Sequence, residues 1–64
     1  MQNGDYINRI NELKAKVKKF LMEKDNFTEE HADKIIKIYS DDFPEFLDND
    51  WGLAAIAAAM IMGY

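Results

Sequence analysis

The side chains able to do acid–base, nucleophilic or metal chemistry are few, and their spacing decides against most of it. His31 is the single imidazole and cysteine is absent. That excludes disulfides and thiolate metal sites and leaves a histidine-based structural zinc site without a second nitrogen ligand. His31 sits beside Glu30 and near Asp33, in what reads as the first turn of a helix, where a lone histidine is a surface residue. Thr28 and Ser40 offer hydroxyls, but neither has a base at a recognisable motif spacing. Gly4, Gly52 and Gly63 are too scattered to form a phosphate-cradling loop. Asp48-Asn49-Asp50 starts like a calcium loop. Counted from Asp48, however, the fifth, sixth and twelfth positions are Gly52, Leu53 and Ala59, where an EF-hand needs an oxygen ligand, a glycine and a glutamate. The expectation is a protein that is not an enzyme, with no catalytic, metal or cofactor site.

Charge is the next resource. The net charge is −4, unevenly laid out: residues 1–28 carry +2, residues 29–50 carry −6, and residues 51–64 carry none. Lys14, Lys16, Lys18 and Lys19 fall within one short stretch and could touch phosphate, but an acidic chain without interleaved surface aromatics is a poor nucleic-acid binder. They read as a solvated face near a helix C-terminus, where cations complement the dipole. The acidic segment Asp41, Asp42, Glu45 and Asp48, with Phe43 and Phe46 between, is the candidate partner-binding surface. Acids on a small rigid scaffold can imitate a phosphate backbone and occupy a basic groove on another protein. The same residues also serve as caps and turns.

These groups must be positioned by helices. Residues 5–24 place Tyr6, Ile10, Leu13, Val17 and Phe20 on one stripe, widened by Ile7 and Leu21, with alternating spacings of four and three. Asp5 or Asn3 is the expected cap, and Asp5–Arg9 and Glu12–Lys16 the expected i,i+4 pairs. The stripe is too short for a coiled coil, so it predicts packing within a small bundle. Asp25-Asn26 breaks the pattern, and Thr28 is a good N-cap for a second helix from about Glu29 to Tyr39 or Ser40. Its inner face is Ala32, Ile35, Ile36 and Tyr39, with Ile38 off the stripe and Glu30–Lys34 and Asp33–Lys37 outside. Pro44 suits the first turn of a short helix over 44–47. Phe43, Phe46, Leu47 and Trp51 should pack beneath these joints.

The order of a long helix, a turn and a second helix with a serine near its end loosely resembles the small helical-hairpin phosphatases that act on sporulation response regulators. Their signature carries a glutamine after the serine and an aspartate four residues on. Here Ser40 is followed by Asp41, and Pro44 stands at the fourth position, so no family is assigned.

The last fourteen residues, Trp51 to Tyr64, are the feature that bounds the architecture. Leu53 to Met62 contains no charged or polar side chain and is rich in helix formers, with Asp50 as the expected N-cap. A helix apolar all round must be buried all round or lie in lipid. Fourteen residues of helix reach about 21 Å, short of the roughly 30 Å core of a bilayer, so a buried, central helix and no membrane role are expected. There is no signal-peptide pattern at the start, and the absence of cysteine suits a reducing compartment; the expected setting is the cytoplasm.

The expected fold is therefore an all-α, single-domain bundle of three main helices and one short one. The bulky face Leu53, Ile56, Met60 and Tyr64 should seat the other helices. The side carrying Trp51, Ala55, Ala58 and Met62 then stays open and predicts a homodimer or larger homo-oligomer. A small chain without disulfide or metal has self-association as its remaining source of buried area. The expected function is a non-catalytic interaction module that self-associates through this helix. The alternative is a small acidic inhibitor or decoy for a basic surface of a partner protein.

Overall fold

The computed structural model describes residues 2–63. In chain order it has α1 (Gln2–Lys24), α2 (Glu29–Ile38), a 3-10 turn (Ser40–Asp42), α3 (Phe43–Asp48) and α4 (Leu53–Met62). No strand occurs among the described residues, so the all-α bundle of three main helices and one short one stands.

The stripe on α1 does most of the assembly. Twenty-three residues at about 1.5 Å per residue make a rod of roughly 34 Å, which accounts for the long dimension of the molecule, 36 Å. Such a rod can present successive lengths of one stripe to several partners, and α2, α3 and α4 each pack on it. The organising element is thus α1, a correction to the expectation that the last helix is central: ten residues are too short to seat every other element. Val17 and Leu21 are fully buried, and Ile10, Leu13 and Phe20 pack against the core. Toward the N-terminus the stripe opens, with Tyr6 and Ile7 exposed. Because α1 begins at Gln2, Asp5 lies within its first turn and is not the residue before it.

The core is completed by Ala32 and Ile36 from α2, Phe43 and Phe46 from α3, and Ile56, Ala57 and Met60 from α4. Each fully buried large aliphatic or aromatic side chain contributes about 1.5–3 kcal/mol of transfer free energy. No polar or charged residue is buried among those described, so this core carries no desolvation penalty from buried charge.

The joints are set by left-handed residues. Asn26 (φ 61°) ends α1, and the Phe27 N–H returns to the Leu21 carbonyl at 3.1 Å. Asp50 (φ 57°) ends α3 in a Schellman arrangement: Trp51 N–H donates to Phe46 O at 3.0 Å and Asp50 N–H to Leu47 O at 3.2 Å. The hydrophobic contact that accompanies this motif is the Phe46–Trp51 ring pair, 4.9 Å between centroids. Asp50 is consequently not the N-cap of α4, as its position suggested. That place belongs to Gly52, whose extended backbone (φ −72°, ψ 158°) starts the helix without a side-chain cap. Thr28, by contrast, caps α2 as expected, its Oγ accepting from His31 N–H at 3.1 Å.

Candidate functional site

The open side of α4 is the most distinctive surface. At about 100° per residue, the buried Ile56, Ala57 and Met60 define the inward arc of the helix. Ala54, Ala55, Ala58, Ile61 and Met62 define the outward one, and all five are exposed. Ile61 is 45% and Met62 81% exposed. Ala58 falls at the middle of the outward arc, flanked by Ala54 and Ile61 on one side and Ala55 and Met62 on the other. The inward bulky face is as the sequence indicated for Leu53, Ile56 and Met60, while Tyr64 lies outside the described residues. Ala57 was not anticipated; its place beside Ile56 and Met60 on the inward arc is the signal that marks it. Trp51, expected on the open face, is half-buried and packs on the core through Phe46. Its position as the residue closing the Schellman turn turns the ring inward.

The acidic segment is reduced by the same packing. Phe43 and Phe46 are fully buried and meet edge to face with centroids 5.3 Å apart, so they are core residues and not part of a partner-binding surface. What remains outside is Asp41, Glu45 and Asp48, with Asp42 half-buried. Asp48 accepts a long hydrogen bond, 3.5 Å, from the Tyr6 hydroxyl. Desolvation first, and then the charge and hydrogen bond of Asp48, raise the Tyr6 pKa above its ordinary value. Asn49 Nδ2 donates to Glu45 O at 3.0 Å, closing the turn that the calcium-like tripeptide occupies.

The lysines divide into structural and solvent-facing groups, which corrects the reading of them as a single solvated face. Lys14 Nζ donates to Ser40 Oγ at 3.1 Å and lies 5.7 Å from the Phe43 ring centroid, close enough for a cation–π contribution. Lys18 Nζ bridges Glu29 and Asp33, each at 3.0 Å. Hydrogen bonds to Glu29 and then Asp33 raise its pKa. Both lysines thus tie α1 to the following chain; Lys16 and Lys19 are exposed. Asp33, expected to pair along α2 with Lys37, reaches instead across to α1, because Lys18 faces the α1–α2 seam.

His31 is exposed, stacked on Phe27 with centroids 4.5 Å apart, beside a shallow, open depression shared with Thr28, Glu30 and Lys34. A second depression, between α1 and α3, is lined by Arg9, Glu12, Leu13, Lys16, Leu47 and Asp50. No group of three or more His, Cys, Asp or Glu able to hold a metal occurs among the described residues. No helix among them is long and apolar enough to cross a membrane. Comparison with protein-family models, curated proteins and solved structures finds no match.

Proposed function

We propose that this protein is a non-catalytic interaction module of the cytoplasm whose first partner is a second copy of itself, bound through the open face of α4. The observation that carries the reading is the outward arc of α4. Scattered exposed apolar residues are ordinary, but a contiguous patch on a helix without one polar side chain is a feature of interaction sites. Its three alanines allow a second backbone to approach closely, and Ile61 and Met62 supply bulk to fill the contact. Five side chains are far fewer than the roughly 20–30 residues a side of a standard stable interface, so the association is weak and concentration-dependent.

Sedimentation equilibrium from about 10 µM to about 1 mM, the range of weak complexes, tests it. The expected result is a mass rising from 7.4 kDa toward twice that value. Ala58→Glu should abolish the rise without unfolding the monomer, because the position is exposed in one chain and buried in two, and an unpaired buried charge costs several kcal/mol. A mass that stays at the monomer value throughout overturns the reading.

The exposed Asp41, Glu45 and Asp48 favour a second reading, an acidic decoy for a basic surface of a partner protein. Binding of that kind weakens steeply with salt, whereas apolar self-association does not.

A further inference from the structure

We infer that the seat on α1 that α4 fills also accepts the α4 of a second copy, so that two chains can exchange their last helices. The contact uses the inward arc of α4 and is independent of the open face described above. Helix α4 is the last element of the fold and packs chiefly on α1. Its ten side chains contain no charge and no oxygen or nitrogen atom, so none of them forms an ion pair or hydrogen bond with the rest of the chain. Helix α2, by contrast, is fastened to α1 through Lys18. What holds α4 is the burial of Ile56, Ala57 and Met60, with Leu53 packed at the edge. Apolar burial is non-directional, and an identical α1 offers an identical seat.

The hinge lies at Gly52. Before it, the turn after α3 is closed by the Trp51 N–H donating to Phe46 O at 3.0 Å and by the Phe46–Trp51 ring pair. After it, Leu53 begins the helix. Gly52 has no side-chain cap to lose, and a Cβ there would meet nothing within 4 Å. A glycine between two closed units turns about φ and ψ at little steric cost. Helix α4 can therefore swing away while the Phe46–Trp51 turn stays shut.

Closed and exchanged forms bury the same apolar residues, so concentration decides between them. A short linker sets an effective concentration in the millimolar range. Below it each chain closes on itself; above it a second copy competes. Once one helix has crossed, the other crosses within the same pair. The exchanged dimer then rests on the buried core of α4, where the open face supplies five exposed side chains.

The Ala58→Glu variant, which removes the open-face contact, isolates the exchange. Equal amounts of isotope-labelled and unlabelled variant are refolded together from urea at about 5 mM, above the closed chain's effective concentration. Isotope-filtered nuclear Overhauser spectra should then join Ile56 or Met60 of one chain to core residues of α1 in the other. Refolding at about 0.1 mM should weaken these cross-chain signals at least about tenfold relative to the signals within a chain. Cross-chain signals confined to Ala54, Ile61 and Met62, or none at the higher concentration, overturn the exchange. The open-face reading is judged separately, by sedimentation of the unmodified chain, so the two failures are distinct.

Discussion

Two helices of equal length, α2 and α4, ten residues each, solve the same problem by different means. Helix α2 is amphipathic: Ala32 and Ile36 face the core, and Glu29, Glu30, Asp33, Lys34 and Lys37 are exposed. It begins on a threonine cap and is tied to α1 through Lys18. Helix α4 has none of these devices. It begins at an uncapped Gly52, carries no charge, and offers apolar side chains both to the core and to the outside. The difference teaches that burial in a small bundle is rationed by geometry. A helix on the outside of a bundle has one covered side, whatever its composition, so an all-apolar helix there must expose the surplus.

Substitutions on the two sides of α4 sharpen this most. Ile56→Ala, in the core, should lose about 2–5 kcal/mol, a large fraction of the whole stability of a small domain. Ile61→Ala, on the outward arc, should stay within about 0.5 kcal/mol in dilute monomer while weakening association. Urea unfolding of both variants at low concentration is the check; equal losses would erase the distinction between the faces.

The caps give the next effect. Thr28→Ala should cost α2 about 0.5–2 kcal/mol, whereas Gly52→Ser should stabilise α4 by a few tenths, roughly the gain of serine over glycine at an N-cap. A Cβ at Gly52 meets nothing within 4 Å and the backbone there is extended. A destabilised Gly52→Ser variant in thermal melts would show that the start of α4 is held by something other than a missing cap.

The smallest effect concerns Lys18. Its pKa is raised in the folded chain by hydrogen bonds to Glu29 and Asp33, so the charged form favours folding. That contribution is complete below the ordinary lysine range and disappears as pH rises through the raised value. Lys18→Met should melt slightly lower than the parent at neutral pH, and the gap should close in alkaline solution. A gap that persists unchanged there would assign the difference to packing of the lysine stem.

Much of the fold was legible because its signals are local. The three-four spacing from Ile10 to Phe20 identifies the stripe of α1, Thr28 identifies the start of α2, and Pro44 marks the first turn of α3. Asp50 was misread for a reason of the same kind. An aspartate before a helix suits an N-cap and a left-handed turn equally, and only the Phe46–Trp51 contact selects the second. Phe43 and Phe46 were assigned to both a hinge cluster and a surface, since six residues of α3 do not make a period.

By itself, the sequence determined the helices, their order, the bulky inward face of α4 and the lack of a recognisable catalytic or metal-binding motif, because these depend on residue type and short spacing. The tertiary structure decided that α1 and not α4 is the organising element, that Lys14 and Lys18 are fasteners, and that Trp51 turns inward and leaves the open arc of α4 to the residues around Ala58. Those are matters of which surfaces a neighbour reaches. A helix without a polar residue carries no pattern from which its uncovered side can be read in full, so the contacts of the folded chain must supply it.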